Sequence, residues 1–422
     1  MEFTSFGDVQ EYLDAIPKFQ TASSSAADFN LQKFTDFCAE IGNPQDAFPS
    51  IHVGGTNGKG SCCKILSTIY REAGYNVGVY SSPHILTFNE RFNINGNCIS
   101  DEDLLLFFQC YHHLIEEHRL TYFEISTAIA FWWFANSEID IGIIEVGLGG
   151  RLDATNVVRP LVSVITSVAL DHTDLLGDTL EQIAREKAGI IKEDRPVVLG
   201  KIQEEAEAVI MEVAEDQGST VYSVEELSPR ITKKRKLQLQ INGHRKVYDI
   251  PPMAPVQAIN MAISYRVVAL LSSYFDVSEV SLRKALRELP SISARFEKLG
   301  EDLNWYFDGG HNREAIQALK EAVDSVGAVE ESILVLSLMR DKVNNEVMNE
   351  FSEFKNIYYY TLNTKRAAPF EDIAKWLPQV MKFPTHLHEQ RRLLKVFKSE
   401  LVIFAGSFYF YATVRDWIQE LD

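Results

Sequence analysis

The stretch His52-Val53-Gly54-Gly55-Thr56-Asn57-Gly58-Lys59-Gly60-Ser61 is a glycine-rich turn between a short apolar run and a helical pattern. Residues 49–53 predict a buried strand, and residues 59–73 predict a helix. A turn between these elements lets backbone N–H groups converge on a phosphate at the positive end of the helix dipole. Lys59 would then reach the outer phosphates of a nucleotide. A turn with an incidental lysine is the alternative, and the order of strand, turn and helix favours the phosphate site.

The turn departs at one position from the general P-loop pattern G-x-x-x-x-G-K-[ST]. Gly60 occupies the place of the hydroxyl residue that binds magnesium, and Ser61 follows one residue later. A metal bound with the nucleotide therefore needs a ligand from another part of the chain. This departure argues against an ordinary kinase or GTPase loop.

Composition restricts the class of protein. The chain has 422 residues, which suggests at least two domains, and its 46% hydrophobic and 24% charged residues are typical of a globular protein. A net charge of −18 argues against a general nucleic-acid-binding protein. The five cysteines form no C-x-x-C pair, so no disulfide framework is expected and a reducing cytoplasm is the expected location. No signal peptide or membrane span is expected either.

The pattern of apolar runs predicts an α/β fold. In the first part, short apolar runs alternate with amphipathic segments, which predicts a mostly parallel, P-loop-containing sheet domain over residues 1–290. The segment 289–294 reads as a linker. The alternation then restarts and predicts a smaller, Rossmann-like α/β domain over residues 291–422. The predicted strands lie at 51–54, 77–80, 139–146, 161–167, 197–199, 305–307, 333–336, 357–360 and 401–404.

Two other patterns predict local structure. Residues 237–241 before Asn242-Gly243 predict one arm of a β-hairpin, with a basic run at 233–236 on a solvated edge. The apolar segment 255–275 predicts a long helix.

Loops after predicted strands carry groups suited to phosphate and metal binding. Ser82 would supply the hydroxyl displaced by Gly60, although Ser-Ser-Pro alone is also an ordinary turn. Glu124, at the entry of an apolar helix, is a candidate carboxylate for Mg²⁺, with a favourable place in the helix dipole as the alternative. His172 would ligate a second cation or is simply a surface histidine. Lys187 reads by position alone as a partner of its helix C-terminus.

The glycine-rich block 145–156 follows an apolar strand and favours a loop that approaches a ligand closely. In the smaller domain, Asp308-Gly309-Gly310-His311 repeats the arrangement of strand, acid, glycine turn and histidine. Arg295 precedes it at the domain junction, and both are interpreted as nucleotide contacts.

Taken in order, these segments resemble the folylpolyglutamate synthase/dihydrofolate synthase family of the bifunctional bacterial type, within the Mur-ligase superfamily. The resemblance covers nearly the whole chain, and its Lys-Gly-Ser variant separates this family from the peptidoglycan ligases. Each motif is weak alone, but the ordered set is specific. The set comprises 55–61, Ser82-Pro83-His84, Tyr122-Phe123-Glu124, 145–156, Asp171-His172, Lys187-Ala188-Gly189, 308–312 and 406–409.

The resemblance implies an ATP-dependent amide ligase with a Mur-ligase-like fold. The carboxylate of dihydropteroate or a reduced folate would attack the γ-phosphate of ATP, and the amine of L-glutamate would then displace phosphate from the acyl phosphate. The expected activity is dihydrofolate synthase, with addition of glutamate to folates as a further activity. A folylpolyglutamate synthase alone is the alternative, and a non-catalytic nucleotide-binding protein is a remote one. A monomer without nucleic-acid or membrane partners is expected.

The resemblance also implies roles for single residues. Lys59, His172 and Lys187 would be catalytic, and Lys187 matches a lysine that CO₂ converts to a carbamate. Two Mg²⁺ ions are implied, with ligands from Ser82, Glu124 and His172. The implied nucleotide contacts are Gly55, Thr56, Asn57, Gly58, Lys59, Gly60, Ser61, Asn260, Arg295 and Asp308. The implied substrate contacts are Phe123, Asp153, His311 and Ser407.

Overall fold

The structure is a computed structural model, and it describes residues 3–17 and 31–421. Met1 and Glu2, at the terminus where no signal peptide is expected, lie outside these ranges. The strands are β1 Ser50–Gly54, β2 Val77–Tyr80, β3 Phe92–Ile94, β4 Asn97–Cys98, β5 Ile141–Glu145, β6 Val162–Ile165, β7 Val197–Leu199, β8 Val221–Ser223, β9 Arg230–Ile231, β10 Lys236–Ile241, β11 His244–Asp249, β12 Glu297–Lys298, β13 Trp305–Asp308, β14 Ile333–Leu336, β15 Asn356–Tyr359, β16 Met381–Lys382 and β17 Val402–Ala405.

Helices connect and cover these strands, as an α/β chain requires. Within the described residues they are α1 Phe6–Ala15, α2 Leu31–Glu40, α3 Lys59–Glu72, α4 Asp101–His118, α5 Tyr122–Asn136, α6 Thr173–Leu176, α7 Leu180–Ala188, α8 Glu204–Asp216, α9 Gln257–Leu270, α10 Glu279–Arg287, α11 Arg313–Asp324, α12 Asn345–Phe351, α13 Phe370–Trp376, α14 Leu387–Phe397 and α15 Phe410–Gln419. Among the helices of the described chain, none is both long and apolar enough to cross a membrane.

The chain forms two compact units. The main division lies between Leu289 and Pro290. Two short segments earlier in the chain, Lys233–Arg235 and Ile250–Gln257, group with the smaller unit. The chain therefore leaves the larger unit and returns to it twice before Leu289.

The larger unit is built on an eight-stranded sheet in the order β4-β3-β2-β5-β1-β6-β7-β8. β1 pairs in parallel with β5 and β6, and the antiparallel pairings of this sheet are β2 with β3 and β3 with β4, at one edge. β1 and β5 are buried along their whole length, as strands of a parallel sheet covered on both faces are. The carboxyl ends of β1, β2, β5 and β6 meet at one edge, so the loops that follow these strands lie together.

The smaller unit contains a six-stranded sheet in the order β12-β13-β17-β14-β15-β16. β13, β17, β14, β15 and β16 are parallel, and β12 is antiparallel at the edge. An apolar core of side chains such as Leu319, Leu334, Phe351 and Ile403 packs beside the sheet. The α/β class and the mostly parallel sheets are therefore confirmed.

Two local predictions have different outcomes. β10 and β11 form the predicted hairpin, and Asn242 and Gly243 both have positive φ (51° and 76°), as a type I′ turn requires. The helix predicted over 255–275 is shorter, because α9 begins at Gln257 and ends at Leu270. Beyond the helix the apolar run continues as a turn, in which the Phe275 N–H donates to the Leu271 carbonyl (2.8 Å).

Candidate nucleotide and substrate site

The glycine-rich turn between β1 and α3 packs so closely on its neighbours that two positions require glycine. Gly55 has φ +139°, and a Cβ there would lie 2.0 Å from Thr166 Oγ1, just beyond β6. Gly58 has φ +89°, and a Cβ there would lie 2.7 Å from Asn260 Oδ1 on α9. Side chains at either position would push the turn away from these elements. Asn260, an implied nucleotide contact, therefore lies directly against the turn.

Two backbone amides of the turn hold it to the end of β6. Thr56 N–H donates to the Ser167 carbonyl and Asn57 N–H donates to Ser167 Oγ, both at 2.9 Å. The resemblance implies that the whole backbone of residues 56–61 binds phosphate, but the amides of Thr56 and Asn57 donate to Ser167. The amides in the first turn of α3, which begins at Lys59, are the ones directed out of the helix N-terminus.

The Lys59 ammonium lies over the turn. Its Nζ donates to the carbonyl oxygens of Gly55 (2.9 Å) and Thr56 (3.1 Å). This conformation keeps the charge at the N-terminus of α3, where the helix dipole also favours an anion. Lysine and helix therefore act on the same region in the way that the P-loop pattern predicts.

Glu145, at the end of β5, occupies the space between the turn and the Ser82 loop. Ser82 N–H donates to Glu145 Oε2 at 3.2 Å. A Cβ on Gly60 would lie 3.6 Å from the same oxygen, an ordinary contact distance. Glu145 is buried, so its carboxylate is fixed between the two loops. The sequence singled out the block that begins at Glu145 but gave this carboxylate no role.

Glu124 has other partners. Its carboxylate accepts the Thr121 N–H at 2.7 Å in a capping box at the start of α5, and it pairs with Lys33 Nζ at 2.8 Å. These contacts give Glu124 a structural role and do not join it to Ser82. The carboxylate that contacts the Ser82 loop is Glu145, and Glu124 as a metal ligand stays a prediction.

Lys187 is buried at the end of α7, with 3% of its surface exposed. Burial, together with the charge of Lys59, lowers the pKa of Lys187 to about 7, while Asp171 and Asp153 act in the opposite direction. Lys59, Asp171 and Asp153 therefore lie within electrostatic reach of Lys187. His172 follows Asp171 in left-handed conformation (φ 49°), and its Nε2 lies 3.9 Å from Asp171 Oδ1.

In the part of the chain that the structure describes, no group of three or more His, Cys, Asp or Glu side chains converges on a metal position. Mg²⁺ bound to nucleotide phosphates takes only one or two carboxylates and fills its remaining positions with phosphate oxygens and water. The pair Ser82 and Glu145 matches that donor set in number and chemistry.

The implied substrate contacts Phe123 and Asp153 both contact the glycine-rich loop after β5, Asp153 as a member of it. A Cβ on Gly147 would lie 2.3 Å from Phe123 Cζ, so the loop packs against this ring. Asp153 is buried, and its carboxylate accepts the N–H groups of Leu148 and Thr155, both at 2.9 Å. Burial raises the pKa of Asp153, and these hydrogen bonds oppose the shift. Asp153 therefore braces the loop from within.

In the smaller unit, the implied residues lie at the carboxyl ends of β13 and β17. Asp308 accepts the N–H groups of Gly310 (2.7 Å) and Phe296 (2.8 Å), and burial raises its pKa. The Arg295 guanidinium lies 4.5 Å above the Phe408 ring, and the His311 ring is 6.3 Å from the same ring. Ser407, next to Phe408, is buried and its Oγ accepts the Tyr409 N–H at 3.3 Å. The structure thus places Arg295 and His311 beside the Phe408 ring, next to Ser407.

Comparison with known proteins agrees with this geometry. A family model for the Mur ligase middle domain matches residues 53–264. The chain is 32% identical to the dihydrofolate synthase/folylpolyglutamate synthase of Bacillus subtilis, over 98% of this chain and 99% of that protein. The chain belongs to the dihydrofolate synthase/folylpolyglutamate synthase family. The Escherichia coli protein of the same name is 31% identical over 94% of this chain and 92% of its own length.

Solved structures of the family share the fold over the full length. The bifunctional folylpolyglutamate synthase/dihydrofolate synthase of Yersinia pestis has a TM-score of 0.86 at 29% identity and covers 99% of this chain and 100% of that one. Escherichia coli FolC in complex with DHPP and ADP has a TM-score of 0.85 at 28% identity and covers 100% and 99%. The family predicted from the ordered motifs is confirmed.

Proposed function

We propose that this chain is an ATP-dependent ligase that joins L-glutamate to dihydropteroate and to reduced folates, as a dihydrofolate synthase/folylpolyglutamate synthase. The full-length match to relatives that carry this double name supports the proposal, since it spans both units of the chain. The structure of a family member with DHPP and ADP supports a pterin acid and an adenine nucleotide as substrates.

The residues of the larger unit meet the main physical demand of this chemistry. The acid substrate must attack the γ-phosphate in line, and the leaving charge must be neutralised. Lys59 and the first turn of α3 provide positive charge at one end of the site, and no protein nucleophile is required. Asn260 against the turn, and Arg295 and Asp308 in the smaller unit, are proposed to contact the nucleotide.

Mg²⁺ is the proposed metal. Ser82 and Glu145 would hold one ion, because a hydroxyl and a carboxylate are hard oxygen donors and Gly60 leaves the usual hydroxyl position without a donor. His172 is proposed to hold a second ion. Bound Mg²⁺ neutralises phosphate charge and orients the γ-phosphate.

Carbamylation of Lys187 is proposed as well. Only the neutral amine reacts with CO₂, and a pKa of about 7 gives this lysine a large neutral fraction at physiological pH. The product would carry a carboxylate-like group that suits a site organised around cations. Phe123 and Asp153 are proposed to contact the pterin, and His311 and Ser407 the acid or glutamate end of the substrates.

A folylpolyglutamate synthase without the dihydropteroate activity is the second candidate. A relative from Lacticaseibacillus casei, named only folylpolyglutamate synthase, is 32% identical over 78% of this chain and 80% of its own length.

This chain is proposed to act as a monomer in the cytoplasm, where its five free cysteines would stay reduced.

Release of ADP in the presence of glutamate tests the function, with dihydropteroate and tetrahydrofolate offered in separate assays. Turnover with both acids is the expected result. Turnover with tetrahydrofolate alone would replace the proposal by the second candidate. ADP binding without turnover of either acid would support a non-catalytic nucleotide-binding protein.

A further inference from the structure

Arg91 is a buried cation that contacts an imidazole and two aromatic rings. Only 7% of its surface is exposed. Its Nε donates to His84 Nδ1 at 2.9 Å. The guanidinium carbon lies 5.5 Å from the Tyr122 ring centroid and 5.9 Å from that of Phe88. In residues 3–17 and 31–421, no carboxylate forms an ion pair with Arg91.

The acidic neighbour in the chain is engaged by the loop itself. The Glu90 carboxylate accepts the N–H groups of Ile85 (2.8 Å), Leu86 (3.0 Å) and Thr87 (2.8 Å). Glu90 therefore stabilises the loop and leaves the adjacent guanidinium without a counter-charge. Buried charges in proteins are ordinarily paired, since an unpaired one loses its hydration without compensation.

Arg91 lies between two parts of the candidate site, the Ser82 loop and the start of α5. On one side, its carbonyl accepts the Ser81 N–H at 3.0 Å, and the next residue, Ser82, contacts Glu145. On the other side, its guanidinium faces Tyr122, the residue before Phe123. An acid substrate that extends from a pterin contact at Phe123 to the phosphates would place a carboxylate in this interval.

We propose that Arg91 binds a carboxylate of the acid substrate and so fixes that substrate relative to the nucleotide. The inference rests on the proposed function. A guanidinium suits this task because its planar N–H groups match the two oxygens of a carboxylate, which a lysine ammonium does not. Two carboxylates have this chemistry: the reacting carboxylate of dihydropteroate, and the α-carboxylate that a glutamyl folate carries in addition.

The test measures binding to the full-length protein by calorimetry, with three probes. Dihydropteroate has one carboxylate, tetrahydrofolate has two, and 6-hydroxymethyl-dihydropterin has none. Arg91→Gln keeps a donor for His84 and removes the charge. It should weaken acid binding about ten- to hundredfold, the range for a charge-assisted pair, and change binding of the carboxylate-free pterin less than about twofold. Arg283→Gln is the matched control, because Arg283 also lies over a tyrosine ring, that of Tyr248 at 4.8 Å.

The outcomes separate the sources of the carboxylate. Weaker binding of both acids supports the reacting carboxylate, and weaker binding of tetrahydrofolate alone supports the α-carboxylate. An equal loss for the carboxylate-free pterin, or no loss for either acid, would overturn the proposal. If Arg91→Gln does not fold, Arg91→Lys is measured with the same three probes. Because it keeps the charge but not the paired geometry, it should weaken binding of the acids and leave binding of the carboxylate-free pterin unchanged. Failure of the wild-type protein to bind either acid would instead refute the proposed function.

Discussion

Lys187 should form a carbamate, and its reactivity can be calculated from its surroundings. Its pKa falls from 10.5 to about 7, with burial as the largest cause. At pH 7 about half of the side chains are then neutral, compared with about 0.03% for an ordinary lysine, a gain of about a thousandfold in the reactive form. The neutral fraction rises with pH, from about 10% at pH 6 to about 90% at pH 8, so carbamate formation should rise about ninefold across this interval.

The same surroundings predict a dependence on divalent cations. Carbamylation replaces a positive or neutral group by a negative one, and Asp171 and Asp153 lie within electrostatic reach of it. Their charges oppose the product, so a bound cation is needed to stabilise it. Carbamate occupancy should therefore increase when Mg²⁺ is added and fall when it is chelated.

The assay combines ¹³C NMR with activity. Full-length protein is supplied with ¹³C-bicarbonate at pH 6, 7 and 8, and ADP release is compared in CO₂-stripped and bicarbonate-supplied buffer. Lys187→Ala should lose the carbamate signal and the activity, and a short carboxylic acid should restore part of the activity. Lys192→Met is the control, because burial also lowers the pKa of Lys192, to about 8, and that variant should keep the signal.

Two results would refute this reasoning. One is a protein without a Lys187-dependent carbamate whose ADP release is the same with and without CO₂. The other is full activity of Lys187→Ala without added acid.

The depressed pKa of Lys187 also has a consequence for stability. The unfolded chain binds this proton up to the ordinary lysine pKa, and the folded chain releases it at about pH 7. The contribution of this group to the free energy of unfolding therefore rises with pH between about 7 and 10.5 and is least favourable below 7. Lys187→Met should unfold at a higher temperature than the wild type at pH 7, in spite of its loss of activity, and the difference should shrink at pH 9.

Further substitutions test the phosphate and metal residues. Lys59→Ala should lower kcat/KM about a thousandfold, because a charge that stabilises the transferring phosphate is lost, and near-normal turnover would contradict this role. Glu145→Ala should raise the Mg²⁺ concentration required for ADP release. Glu124→Ala should leave that requirement unchanged and lower the free energy of unfolding by about 1 kcal/mol through the loss of its cap. The reverse pattern would favour Glu124 as the metal ligand. Ser82→Ala should be inactive. If residues 60 and 82 serve one metal, adding Gly60→Ser to the same chain should recover part of the activity. ADP release at saturating Mg²⁺ measures this recovery.

Much of the fold could be predicted because its signals are local. Strands buried on both faces of a parallel sheet read as continuous apolar runs, and Asn242-Gly243 specifies a hairpin without help from distant residues. The glycine-rich turn could be located for the same reason. What could not be predicted is which of its amides face outward, since the Ser167 groups that engage Thr56 and Asn57 lie 110 residues further along the chain.

Glu124 and Glu145 are both candidate metal ligands, and the sequence around each one contains a local signal of its place in the fold. Thr121-Tyr122-Phe123-Glu124 has the spacing of a capping box before an apolar helix, which is a structural role sufficient for that glutamate. Glu145 is the last residue of a buried parallel strand, and such positions open onto the ligand side of the sheet. Both glutamates lie next to apolar segments in the sequence. What distinguishes them is that Glu124 lies at the start of a helix and Glu145 at the end of a strand.

Gly60 gives a reason why the proposed metal site would depend on two loops. A Cβ at this position meets Glu145 Oε2 at 3.6 Å, so steric exclusion does not account for the missing hydroxyl. With glycine there, the proposed donor is Ser82, whose backbone N–H donates to Glu145 while the N–H of Ser81 donates to the Arg91 carbonyl. The Ser82 loop thus connects the candidate phosphate and metal groups with Arg91. Binding of the acid at Arg91 would then fix the same loop that supplies the metal ligand, which couples acid binding to assembly of the phosphate site.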